Sequence, residues 1–213
     1  MSEDVPVIHA ITDDVIVARP GFLDRARSVM GAFGPRGAVH LRARHLAAAR
    51  LYELAVSLAP EQQRTGCWLV INDRVDVALA AGSRGAQLTS RSMTVADARA
   101  VTPDLALGAS VHSAADAERS AREGADWIVA GHVFETPSHA GEARRGLGLI
   151  REILASASIP CIAIGGIRPK HVAMLLAAGA HGVAAIRGIW ESGDAERAAI
   201  DYLSAYEEHR SPD

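Results

Sequence analysis

A chain of 213 residues that is 49% hydrophobic and 22% charged has enough apolar material for a full core, and a net charge of -3 gives no reason to expect a nucleic-acid partner. No uncharged stretch approaches the roughly 18–20 residues of a membrane helix, and the acidic start "MSEDVPVIHAITDD" lacks the basic and apolar segments of a secretory leader, so a cytoplasmic protein is expected. Cys67 and Cys161 sit far apart among Trp, Leu, Ile and Ala and read as buried, reduced thiols, while Lys170, the only lysine, leaves Schiff-base chemistry almost without a candidate.

Short apolar runs alternate with amphipathic segments along the whole chain. In order, the strand-like runs are "VIHAIT" (7–12), "AVHLRAR" (38–44), "CWLVIND" (67–73), "GAQLT" (85–89), "LALGASV" (105–111), "WIVAGHV" (127–133), "IPCIAIGG" (159–166) and "GVAAIRG" (182–188). Between them, stretches such as "RVDVALAAG", "AADAERSAREGA" and "PKHVAMLLAAGA" place apolar residues three and four apart and close on glycine. Strands alternating with helices imply a parallel sheet, and eight such units without a linker predict one (β/α)8 TIM barrel spanning 1–213. A doubly wound open sheet is the structural rival. It more often carries a glycine-rich fingerprint after its first strand, and "AITDDVIVARPG" has none.

A barrel puts its chemistry at the C-terminal ends of its strands. That rule selects Asp13 and Asp14, Arg42 and Arg44, Asn72 and Asp73, and Ser110 and His112. It continues with His132, Glu135 and Thr136 in "GHVFETPSHAGEARRG", then Gly165 and Gly166, and finally Ile186, Arg187 and Gly188. His40, Arg42 and Arg44 share one parity and point to the interior, with Val39, Leu41 and Ala43 facing the helices. Three such groups in file read either as a buried Arg–Asp network or as a site for a carboxylate or phosphate. The glycines of "AIGGIRP" and the backbone of "AAIRG" form a second anion candidate, where the main chain can approach a phosphate. Asp73 reads as a helix N-cap or as one ligand of a divalent cation; "QLTSRSMT", after the fourth strand, supplies no second carboxylate, so neither a metal nor a cofactor is expected. His132 and His112, with Glu135 nearby, are the candidate acid/base groups.

These same strings carry a family likeness. "HAITDD", "HLRAR", "INDRVDVAL", "SVHS", "ADWIVAGHVFET", "GLGLI", "SIPCIAIGGI" and "AAGAHGVAAIRGI" occur in the order found in the thiamin phosphate synthase/TenI superfamily, which the chain resembles over nearly its whole length. The synthase branch joins a hydroxymethylpyrimidine diphosphate to a thiazole phosphate. It uses Mg²⁺ between an Asp after strand 3 and another after strand 4, and a Lys in the strand-6 loop. Here the first Asp is matched by Asp73, while the second carboxylate and the lysine have no counterpart. "GHVFET" and the HxRxR pattern instead resemble TenI, a thiazole tautomerase. That resemblance implies a cofactor-independent isomerase that aromatises a phosphorylated thiazole carboxylate. It assigns the proton transfer to His132, helped by His112 and Glu135. It assigns binding to His40, Arg42, Arg44, Asn72, Ser110, Thr136, Gly165, Gly166, Ile186 and Arg187. The alternatives are the Mg²⁺-dependent synthase and a non-catalytic regulator that binds the phosphorylated thiazole; a homo-oligomer is expected in each case.

Overall fold

The computed structural model describes residues 5–135 and 145–210. Eight parallel strands close into a barrel in chain order, β1 Ile8–Ile11, β2 Gly37–Leu41, β3 Trp68–Asn72, β4 Gly85–Leu88, β5 Ala106–Val111, β6 Trp127–Ala130, β7 Cys161–Ile164 and β8 Gly182–Ala185, with β8 pairing back onto β1. The (β/α)8 barrel expected from the alternation is therefore the observed fold. Its helices are α1 Asp14–Val17, α2 Phe22–Phe33, α3 Ala48–Thr65, α4 Val75–Ala80, α5 Val95–Val101, α6 Ala114–Arg122, α7 Gly146–Leu154, α8 Val172–Ala177, α9 Arg187–Trp190 and α10 Ala195–Arg210. None of the helices is long and apolar enough to cross a membrane among the described residues.

The period-two alternation of each strand divides the molecule into two cores. One parity, including Ile8, Val39, Leu41, Leu69, Ile71, Leu107 and Ile128, packs outward against the helices. Each fully buried Leu or Ile contributes on the order of 1.5–3 kcal/mol there. The other parity fills the barrel with Ile11, Ala38, Trp68, Val70, Trp127, Val129, Ile162 and Ala184. Cys67 and Cys161 are buried in the outer core as free thiols. Burial pushes the Cys161 thiol up to about 12 and the Cys67 thiol higher still.

Polar groups in the interior are arranged in two chains that rise toward the strand C-termini. The Pro6 carbonyl can only accept, so His9 donates to it from Nε2 at 2.9 Å, and Nδ1 of His9 takes the His40 Nε2–H at 2.8 Å. With its proton on Nε2, His40 leaves Nδ1 as an acceptor, so the Asn72 side-chain amide, 3.3 Å away, closes this chain at the barrel mouth by turning its NH2 to the ring. In the second chain Trp127 Nε1–H donates to Gln87 Oε1 at 2.9 Å, and Gln87 Nε2 donates to the Ser110 hydroxyl at 3.1 Å. Every link is needed, because a buried polar group without a partner costs about 1–3 kcal/mol.

Candidate active site

The loop after β2 is positioned from β1. Thr12 Oγ1 accepts the Arg42 N–H at 2.9 Å, and the Asp14 carboxylate accepts the N–H groups of Arg44 and His45 at 3.1 and 2.8 Å. Burial raises the Asp14 pKa, but those two backbone donors outweigh it and hold the group below its ordinary value. Asp13 caps α1 by accepting from Ile16 N–H. Both aspartates are thus engaged with backbone, and what they present to the barrel mouth is the pair Arg42 and Arg44. Burial first, then the neighbouring Arg44, lowers the Arg42 pKa against opposing pulls from Asp73, Asp13 and Asp14.

A cavity of about 350 Å³ opens over the ends of β2 to β7. Its walls include Arg42, Arg44, Asn72, Arg91, Ser110, His112 and His132, with Ile164, Gly165 and Ile186 on its far side. His112 donates from Nδ1 to the Gly131 carbonyl at 2.8 Å, which ties it to the strand that carries His132. A second cavity of about 590 Å³ lies over β7 and β8, lined by Gly165, Gly166, Arg168, Ile186, Arg187 and Gly188. Ile164, Gly165 and Ile186 belong to both, so the two hollows share one wall. Glycine is required there. A Cβ on Gly165 would stand 2.6 Å from His132 Cβ, and one on Gly166, at φ 63°, 2.4 Å from the Glu135 carbonyl oxygen.

Most of the expected site residues meet at this mouth, with four differences. His40 is wholly buried beneath the first cavity and reaches a ligand only through Asn72. Glu135 lines the second cavity, away from the one that holds His132. Thr136 lies outside the described residues. Asp73 is not the N-cap of α4, which starts after Arg74; its carboxylate accepts from the Thr89 hydroxyl at 2.5 Å and from the Ser92 hydroxyl, and its backbone φ is 63°. Lys170 lines a separate hollow against α10. The sequence reading missed Arg91, Gln87 and Thr89. Arg91 could have been found as the cation in "TSRSM" directly after a strand, and Gln87 as the polar inward position of β4.

The chain's residues 8–189 match the pattern of a family described as thiamine monophosphate synthase. The chain belongs to that family. Among relatives of this synthase family, a thiamine-phosphate synthase of Methanoculleus marisnigri is 38% identical over 195 residues, covering 90% of this chain and 91% of that one. A thiamine-phosphate synthase of Chloroflexus aurantiacus is 33% identical over 199 residues, covering 91% and 92%. The solved structure of thiamine phosphate pyrophosphorylase from Pyrococcus furiosus superposes with a TM-score of 0.84 at 28% identity, over 96% of this chain and 97% of that one.

These relatives overturn the isomerase expectation. The tautomerase assignment rested on two short strings, "GHVFET" and HxRxR, and on the missing second carboxylate and strand-6 loop lysine of the synthase branch, whereas the synthase relatives match nearly end to end. The thiazole carboxylate substrate falls with it, and the family supports the coarser statement of small phosphorylated substrates. Glu135 lines the second cavity, and His132 the first. The two-carboxylate Mg²⁺ site implied by the synthase branch does not fit the residues present. No Asp or Glu lines the first cavity among the described residues, Asp73 is held aside by two hydroxyls, and Arg91 stands in the loop where a second carboxylate would be needed.

Proposed function

We propose that the protein is a thiamine-phosphate synthase, joining a pyrimidine diphosphate to a thiazole phosphate with release of diphosphate. The observation that carries this reading is the pair of adjoining cavities with a shared wall, each suited to an anion, at the end of the barrel where such folds do their chemistry. A coupling of two phosphorylated substrates needs two anion sites that touch.

In this reading the diphosphate lies against Arg42 and Arg44, with the Ser110 hydroxyl, which accepts from Gln87 and keeps its own proton to donate. The thiazole phosphate lies in the second cavity, cradled by the main chain of Gly165, Gly166 and the residues that open α9. The bond between the pyrimidine's exocyclic carbon and the diphosphate oxygen breaks, the electron pair leaves with the diphosphate, and the thiazole bonds to that carbon across the Ile164–Gly165–Ile186 wall. His132, buried beside that wall, hydrogen-bonds the departing oxygen.

The test incubates the purified protein with both substrates, with and without Mg²⁺, and follows thiamin phosphate and released pyrophosphate together. Equal amounts of the two products are expected, and Arg42→Gln lowers kcat by roughly 10²–10³-fold through lost charge stabilisation. Binding of both substrates without turnover under either condition would overturn the reading.

A further inference from the structure

We propose that the cavity over β2 to β5 is a guanidinium-built diphosphate site that fills without a divalent cation. It deepens the synthase reading and rests on it for the source of the ligand, but the site itself is argued from its own residues.

Three guanidinium groups, those of Arg42, Arg44 and Arg91, line one cavity of about 350 Å³. None of them forms an ion pair with a carboxylate among the described residues, although most of the surface arginines of this chain do. Arg42 is half-buried, so its charge is partly stripped of water while a like charge sits beside it. Such an arrangement is unfavourable until an anion enters it.

Asp73, Asp13 and Asp14 pull against this without outweighing it, and none of the three lines the cavity. Asp73 spends one oxygen on the Thr89 and Ser92 hydroxyls, donors from the same loop that carries Arg91. The loop after β4 therefore does two things at once: it ties one Asp73 oxygen to two hydroxyls and brings a cation into the cavity wall. A dication entering here meets three positive groups and, among the described residues, no lining carboxylate. A diphosphate meets three planar donor forks, each able to grip two oxygens, and the Ser110 hydroxyl.

The test titrates inorganic pyrophosphate into the full chain by calorimetry, once in EDTA and once with Mg²⁺. Saturable binding in EDTA, at least as tight as with Mg²⁺, is expected. Arg91→Gln, an exposed position whose loss leaves the melting temperature in place, should weaken that binding roughly tenfold. Arg91→Asp, which supplies a lining carboxylate, should abolish binding in EDTA and restore part of it when Mg²⁺ is added. Binding by the wild-type protein only when Mg²⁺ is present overturns the proposal, as does binding in EDTA that Arg91→Gln leaves unchanged. The two readings fail separately. Pyrophosphate binding in EDTA with no coupling activity removes the synthase assignment and leaves the site, whereas coupling activity with Mg²⁺-dependent pyrophosphate binding does the reverse.

Discussion

Lowering the pH should destabilise this barrel from the inside, and the buried histidine chain sets the size of the effect. His9 and His40 are both fully buried and share one proton between Nδ1 of His9 and Nε2 of His40. Burial, only partly offset by the Pro6 carbonyl, lowers the His9 pKa from 6.5 to about 4. Burial and the adjacent His9 lower His40 as well. Both rings are therefore neutral in the fold, while the unfolded chain takes up protons as pH falls through 6.5. The contribution is complete above 6.5 and is lost progressively down to about 4. At about 1.4 kcal/mol per pH unit, His9 alone removes roughly 2 kcal/mol by pH 5, and His40 adds to the loss in the same direction. Asp14, Asp76 and Asp116, held below their ordinary values, lose their contribution only at lower pH. His171, lowered by burial and by Lys170 and Arg168, adds to the loss in the same direction, so the window from 5 to 7.5 reports the histidines, and a His171→Asn background isolates the pair. Urea unfolding followed by tryptophan fluorescence at pH 7.5 and pH 5 measures it. With a typical stability of about 5–15 kcal/mol, the change is well resolved. Stability that stays within about 0.5 kcal/mol over that range would refute the claim that the pair is buried in its neutral form.

The second polar chain makes a comparable demand: Gln87→Met strands the buried Trp127 N–H and should cost about 1–3 kcal/mol in the same unfolding experiment at pH 7.5. Gly166→Ala forces a Cβ against the Glu135 carbonyl at a left-handed φ. It should destabilise by about 1–3 kcal/mol and raise KM for the thiazole phosphate well above any change in KM for the pyrimidine diphosphate. Cys67 and Cys161 should be inert in the native protein to a thiol–disulfide exchange reagent at pH 8, and label only at the rate of unfolding.

The eight strands were legible because each keeps a period-two or all-apolar run, and each is found where the runs stand. Their ends were not. "AVHLRAR" reads as a strand to residue 44, yet β2 stops at Leu41 because the Arg42 N–H goes to the Thr12 hydroxyl, a contact from another strand that no local pattern announces. The same reason explains Glu135. It lies three residues from His132 in the chain, but Val133 and Phe134 donate to the carbonyls of Ile164 and Gly165, and this carries Glu135 along the end of β7 into the second cavity. Parity did predict that Arg42 and Arg44 share a side of the barrel mouth, and the strand-7 and strand-8 glycines do line a hollow. The family was legible from the ordered strings, whereas its branch was not, because two short motifs and two missing synthase residues were given more weight than likeness spread over the whole chain.

The two cavities are not equivalent, and their difference in charge assigns the substrates to them. In the second, the Arg187 guanidinium lies 3.5 Å from Glu191, which also faces Arg19 at 3.7 Å, so much of its charge is answered before any ligand arrives. What remains there is main-chain N–H, the glycine turn and the exposed Arg168, enough to anchor a phosphate whose charge does not change during the reaction. The first cavity holds three guanidinium groups, none of them in an ion pair with a carboxylate among the described residues. Full positive charge is of most use where negative charge grows as a bond breaks, because only interactions stronger in the transition state accelerate the step. On the proposed synthase reading, the group that leaves therefore belongs with Arg42, Arg44 and Arg91, and the substrate that stays belongs over the glycines. Reversing the two would set three guanidinium groups against a phosphate whose charge does not change in the reaction.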